Sequence, residues 1–387
     1  MGALRVILAL AVVIIHSSSF FGLQLTGGLV AVEVFFVISG FYMTMILDKK
    51  YVGKGSYKLF LSNRFLRLYP MFWVVLSATL LLSIASYSAF GNWFRLSPYE
   101  KYLDTMTIET VFYLIAANLA LFGQDIAMFL GLNQGTGEMT FTSNFYNSDP
   151  QFHSFLVVPQ AWTLGIEATF YLIAPLIVRK SNAFIAALIV ISLSIRAFTY
   201  LHLGYTNDPW TYRFFPSELA LFLIGTLSYR LYDSWLNTRM FTKRFQYPIA
   251  LTFFGTIVFY QFIPFNEGYY THLINWFLYA LTCLALPFIF ALTKSSKLDA
   301  RIGELSYPIY ISHMLILSCI APLLTYFEIL AYEGEIAVAL SIMVAYVLVR
   351  TIADPIEKIR QARIGTPHLG HEWPQRAAPD IAKARAA

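Results

Sequence analysis

Charge is what this chain has least of. Only 13% of its 387 residues are Asp, Glu, Lys or Arg, about half the share usual in soluble domains. That scarcity excludes an ordinary soluble enzyme. The net charge of +5 does not point to nucleic acid either, because Lys and Arg gather in a few short segments between apolar runs, the positive-inside bias of membrane proteins. Cysteine is nearly absent: Cys283 and Cys319 both fall in apolar stretches and read as small buried hydrophobes. No grouping has zinc-site spacing, so no metal is expected. Strict apolar–polar alternation is missing, which excludes an outer-membrane barrel. No internal repeat and no soluble second domain is visible.

What is present is hydrophobic: 58% of the residues, with Phe 34 and Tyr 25. Apolar runs of about 20 residues recur, the length that spans a bilayer as a helix. The fold class is therefore an all-α polytopic membrane protein. Spans are predicted at 4–20, 28–47, 68–88, 160–178, 183–202, 212–231, 247–264, 271–292, 306–328 and 335–352. The first is not read as a signal peptide, since further spans follow at once and a histidine is foreign to such a segment. The strongly basic stretch 48–67 sets its side as cytoplasmic, and Arg179–Lys180, 230–244, 294–301 and the segment after Arg350 want the same side. Residues 132–158 contain neither Lys nor Arg and belong outside. Segment 109–131 cannot then cross as well, and is expected to be re-entrant or interfacial. About ten crossings result, with both termini cytoplasmic. Residues 1–353 form the membrane domain, and 354–387 a short basic cytoplasmic tail, partly disordered.

Within this frame the polar residues stand out. Arg5 and His16 are eleven positions apart, about three helical turns, and so share a face. The arginine falls at the cytoplasmic mouth and the imidazole in the outer half. Ionisable groups at such depth default to sites or proton paths. Glu33, Glu167 and Glu218 enter their spans from the outer side to a similar depth, and Arg196 reaches it from the inner side. A carboxylate beside His16 would hold one tautomer and raise its basicity. For Glu218, pairing with Arg196 or Arg213 to hold helices together is equally open. Arg64 and Arg67, three apart, share a face at the cytoplasmic level of Arg5. Separately they read as anchors; together the three could cup phosphate groups.

Several segments resemble the acyltransferase family 3 membrane proteins, over roughly residues 4–358. "LRVILALAVVIIH" matches the family's arginine and histidine at Arg5 and His16, and "GLVAVEVFFVISGFYMT" is similar to its "GVDLFFVLSGFLIT" pattern. "NRFLRLYP" looks like its basic "RRxxRIYP" segment, and "AWTLGIEATFYLIAP" like its "WSLxxExxFY" block. "IGELSYPIYISHMLI" resembles "LGxxSYxxYLxH", and a helix ending "DPIEKIR" follows. Glu33 stands where the family usually has Asp, Thr163 where it has Ser, and Asp354 where it has Glu. The resemblance implies O-acylation of carbohydrate in the bacterial inner membrane. Acyl-CoA, most often acetyl-CoA, would be a donor substrate rather than a tightly bound cofactor, its phosphates near Arg5, Arg64 and Arg67 and its arm rising toward His16. The acceptor would be a hydroxyl of a lipid-linked or exported glycan, with membrane lipid and polysaccharide-biosynthesis machinery as further partners. His16 would act as general base or transient acyl carrier, with Glu33 or Glu167 orienting it. His313 would lie nearer the inner side, either as a helix-packing residue or along the donor channel. No hydrolase-like domain is fused here, so acceptor handling is expected of the membrane domain itself. The rival classes are a flippase for a lipid-linked glycan, with the buried His and Glu as a proton relay, and a non-catalytic scaffold for a synthase.

Overall fold

The computed structural model describes residues 1–235, 242–263 and 269–364. Helices dominate: α1 (Gly2–His16), α2 (Gly27–Lys49), α3 (Ser56–Phe90), α4 (Ser97–Tyr102), α5 (Ile108–Ala120), α6 (Trp162–Ile177), α7 (Asn182–Leu201), α8 (Phe215–Trp235), α9 (Lys243–Val258), α10 (Tyr269–Thr293), α11 (Lys297–Glu304), α12 (Ser306–Tyr326), α13 (Glu333–Leu348) and, after a π turn, α14 (Asp354–Arg363). Six segments are long and apolar enough to cross a membrane: Gly27–Lys49, Ser56–Phe90, Asn182–Leu201, His272–Thr293, Lys297–Tyr326 and Leu330–Arg363. This is a helical multi-pass membrane protein.

Helix lengths are less uniform than the apolar runs. α1, α6 and α9 have 15, 16 and 16 residues, about 22–24 Å at 1.5 Å per residue, short of the roughly 30 Å hydrocarbon core. α1 stops at His16 because three serines follow it. The Ser17 hydroxyl bonds back to the Val13 carbonyl at 3.0 Å, and Phe21 and Gly22 then take positive φ. His16 is thus a helix terminus, not a residue inside an apolar span. At its other end α1 is capped by Asp299 of α11, which accepts from the Met1 amine at 2.7 Å and from the Gly2 and Ala3 amides at 2.7 and 2.9 Å. A carboxylate there satisfies orphan donors and complements the helix dipole.

The basic segment 48–67, expected as a loop, is helical from Ser56 onward. α3 therefore carries Arg64 and Arg67 on its early turns. Between α3 and α6 the chain builds a compact lobe. Its β1 (Leu130–Leu132) and β2 (Met139–Phe141) pair antiparallel with Gly131 opposite Thr140, and Phe152, Phe155 and Leu156 are fully buried. Burial in this lobe pushes the His153 imidazole down to about 4. α5 is the segment expected to be re-entrant. Its start is held by the Gly137 carbonyl, which accepts from the Thr107 amide at 3.0 Å and the Thr110 hydroxyl at 2.9 Å. Its end is held on α3, where the Trp73 indole donates to Leu119 at 3.0 Å and the Tyr69 hydroxyl to Ala120. Ile108, Phe112, Ile115 and Leu119 leave an apolar stripe on its outer surface.

α2 and α8 cross with their backbones in close approach. A Cβ at Gly40 would lie 1.9 Å from the Phe222 carbonyl oxygen, and one at Gly225 2.0 Å from that of Val37. Beside them sits a buried ionic cluster. Arg196 donates to Glu218 at 2.5 Å and to Glu33 at 3.4 Å, and the Tyr279 hydroxyl donates to Glu33. The two carboxylates are 0% and 2% exposed. Removing the guanidinium would strand both in low dielectric, at a cost of about 3–5 kcal/mol. Arg196→Met should accordingly lower the thermal midpoint in detergent sharply; an unchanged melt would mean the cluster does not hold these helices.

The tail expected from residue 354 begins instead as α14. Arg360 is buried and donates to the Asn63 carbonyl at 3.0 Å, which ties α14 to α3. The contact is polar: Arg363 also donates to the Ser62 hydroxyl at 2.7 Å, while Ile359 of "DPIEKIR" stays exposed. The tail beyond 364 lies outside the described residues. Cys283 and Cys319 are free. Cys319 is exposed on α12 rather than buried.

Candidate active site

A cavity of about 1130 Å³ opens among the basic helix ends and penetrates the bundle. Each wall follows helical spacing. α6 contributes Thr163, Glu167 and Tyr171 at i, i+4 and i+8, and α2 contributes Phe35, Ser39, Tyr42 and Ile46. α1 presents Arg5, α3 presents Arg64 and Arg67, and α11–α12 present Glu304, Tyr307 and Tyr310. The arginines read as a cup from the sequence thus face one space, brought there from α1 and α3. Lys49, Lys50, Lys294 and Arg360 add positive charge to the same wall.

The pairing of these cations differs. Arg67 has Glu304 at 3.9 Å, and Arg360 is tied to Glu357. Among the described residues Arg5 and Arg64 enter no salt bridge, and the Arg64 Nε is buried without a hydrogen-bond partner. Arg64 otherwise lies 5.8 Å from the Phe60 ring centroid. Both are free to bind an anion, for which a planar guanidinium offers a fork of donors. Glu167 accepts from the Ser39 hydroxyl at 2.6 Å inside the cavity.

The cavity reaches Tyr310 and Thr163. Thr163 donates to the Tyr310 oxygen at 2.8 Å, and the Tyr310 hydroxyl donates to the Gln160 carbonyl at 2.9 Å. One turn further along α12, His313 lies 5.8 Å from the Tyr310 ring. Its own ring stacks on His16 at 5.3 Å and 29°. The order from cavity to far side is therefore Tyr310, His313, His16. The His16 ring is exposed, and Gly28, which packs on Ile15, accepts from Tyr212 at 3.4 Å. Tyr212 in turn meets Trp162 edge-on at 4.8 Å, under the Arg213 guanidinium 4.1 Å from the indole centroid.

The expected residues divide accordingly. Arg5, Arg64, Arg67 and Glu167 line the cavity; His16, Glu33 and His313 do not. Glu33 was expected to orient His16, but Arg196 and Tyr279 occupy its carboxylate. Glu167 is engaged by Ser39. The neighbour of His16 is His313, which sequence places nearer the inner side, as a helix-packing residue or along the donor channel. The physical reason is the common starting level of the two helices: Gly2 abuts Asp299 and Gly303, so α1 and α12 climb side by side and their histidines meet. Arg360 escaped notice although "DPIEKIR" had been singled out, because that segment read as tail. Lys49 and Lys50 had been read only as topology signals.

A multi-pass helical bundle with a deep, cation-lined cavity closed by a hydroxyl network and a histidine pair is the class that fold and site define. The family model described as "Acyltransferase domain" matches residues 1–353, and the chain belongs to that acyltransferase family. Among curated relatives, the O-acetyltransferase candidate SACOL0978 of Staphylococcus aureus strain COL is 27% identical over 388 residues, 92% of this chain and 56% of that protein. O-acetyltransferase OatA of Staphylococcus aureus strain NCTC 8325 is 22% identical over 391 residues, again 92% of this chain and 56% of its own length. The chain thus spans little more than half the length of the curated relatives it matches. No solved structure gives a significant match.

Proposed function

We propose that this protein is an integral membrane O-acyltransferase of the bacterial inner membrane, with both termini cytoplasmic. It moves an acyl group, acetyl in the first instance, from cytoplasmic acyl-CoA to a hydroxyl of a cell-surface or exported carbohydrate. The observation that carries this reading is the cavity in which Arg5, Arg64 and Arg67 converge at the basic end. Phosphates of the donor would meet these guanidiniums, and the thin pantetheine arm would run past Tyr42, Glu167 and Tyr307 toward Tyr310. The thioester would then lie near the histidine pair, where a glycan hydroxyl arrives from the outer side. His16 acts there as general base or transient acyl carrier. Polysaccharide-biosynthesis machinery supplies or removes the glycan. The family membership and the names of the relatives support the chemistry.

Protein reconstituted in lipid vesicles, given acyl-CoA outside and a carbohydrate acceptor within, should yield ester-linked product by mass spectrometry. Glycan moved across the membrane without acylation would overturn the reading in favour of a transporter. Each charge-assisted contact to phosphate is worth about 1.5–3 kcal/mol, so Arg5→Ala or Arg64→Ala should raise the KM for acyl-CoA by about tenfold to a hundredfold. An unaltered KM in both would remove the donor from this cavity.

A further inference from the structure

Resting on the acyl-transfer reading above, we infer that the general-base part of the role given there to His16 falls instead to His313, whose Nε2 takes the proton of the acceptor hydroxyl in the transfer step. His313 is fully buried. Its Nδ1 lies 2.6 Å from the Tyr310 carbonyl oxygen, and because a carbonyl only accepts, Nδ1 carries the hydrogen. That tautomer leaves a lone pair on Nε2, which is closed to solvent and has no partner among the described residues. A histidine that only braces helices has no reason to leave a buried nitrogen unpaired, because burying it costs free energy. The place is also right. His313 sits one turn beyond Tyr310, where the cavity closes, and beneath the ring of His16, which must turn aside for a hydroxyl to reach Nε2.

The chemistry balances on these groups. The hydroxyl oxygen forms its bond to the acyl carbon as its proton moves to Nε2. The carbon–sulfur bond breaks with its electron pair on sulfur. The imidazolium then returns the proton to the thiolate, giving a thiol and a neutral ring. His16, stacked over His313 and open to the far side, holds the hydroxyl for this direct transfer, and two adjacent rings resist being cationic together. The charged groups facing the pair are few. Arg213 acts on His16 through space and is matched by Asp208 at 2.7 Å. On α13, Glu335 accepts from the Phe21 amide at 2.8 Å. On α6, Glu167 holds Ser39.

The test is His313→Asn in vesicles with acyl-CoA and a carbohydrate acceptor, since an asparagine amide can still donate to the Tyr310 carbonyl but cannot accept a proton. The expected result is a fall in kcat of at least about 100-fold, a KM for acyl-CoA within about threefold of wild type, and loss of the acid limb of the kcat–pH profile. A variant that keeps that limb, or more than about a third of kcat, overturns the assignment. Should the variant fail to fold, nitrogen-15 spectra of histidine in the wild-type protein decide: the hydrogen on Nδ1 supports the inference, and the hydrogen on Nε2 overturns it. Active wild type with an equally active variant sinks only the role of His313. Folded wild type that transfers no acyl group from acyl-CoA sinks the acyl-transfer reading, and this inference with it.

Discussion

Replacing His16 by alanine should leave the protein in the membrane at its wild-type level and reduce acyl transfer to glycan by about 10²–10⁴-fold. The two halves of this expectation have separate grounds. His16 is the last residue of α1 and its ring is exposed, so truncation leaves no cavity in the core and strands no buried polar group. What is lost is the stacking contact with His313 at 5.3 Å, a small term in the stability of so large a bundle. The chemistry, by contrast, loses a ring at the point where the cavity's closed end, a buried base and an exposed approach come together. Mass spectrometry of surface glycans from a deletion strain, complemented with wild type or with the variant, measures both. An ester restored equally by the two would remove His16 from the reaction, and loss of the variant from the membrane would show that the ring is structural.

The largest effect on folding is expected at the crossing of α2 and α8. Gly225→Val and Gly40→Val each put side-chain carbon where a backbone carbonyl already stands, at 2.0 and 1.9 Å for Cβ alone. Neither helix can yield easily. α2 carries one side of the cavity wall and Glu33, while α8 carries Glu218, and the two carboxylates share Arg196. Small residues permit close backbone approach between membrane helices, where there is little hydrophobic force to hold separated ones together. Overpacking typically costs about 1–3 kcal/mol and occasionally more; here the obstacle is backbone, which puts these variants at the upper end and should remove most folded protein from detergent extracts. Gly255→Ala on α9 is the control. Nothing lies within 4 Å of its added Cβ, and a mid-helix alanine should be neutral or stabilising by up to about 1 kcal/mol. Monodisperse Gly225→Val with an unshifted melt would show that the helices can separate without penalty.

Much of the molecule is legible in its sequence. The scarcity of charge and the recurrence of apolar runs mean a helical membrane protein, because only helices and closed barrels satisfy their backbone inside lipid and the alternation of a barrel is missing. The basic cup was legible as well. Arg5, Arg64 and Arg67 were flagged by spacing along their own helices, and one cavity does collect them. The shortness of α1 was not foreseen, although "HSSSFFG" holds the signal: serines that compete for backbone bonds, then residues at positive φ.

Composition and periodicity are properties of the chain read one residue at a time, and they sufficed for the fold class, the buried faces and the inventory of ionisable groups. Which of those groups meet is a property of pairs. Glu33 and His313 show the difference. Both were seen as intramembrane polar residues needing partners. Depth counted along single helices offers Glu33, or Glu167, to His16 and puts His313 nearer the inner side. Packing decided otherwise, because the α2–α8 crossing turns Glu33 to Arg196 and the abutment of Gly2 with Gly303 brings α1 and α12 up together. In a low-dielectric interior each polar group must find its partner in space, and only the tertiary arrangement of helices determines which partner that is.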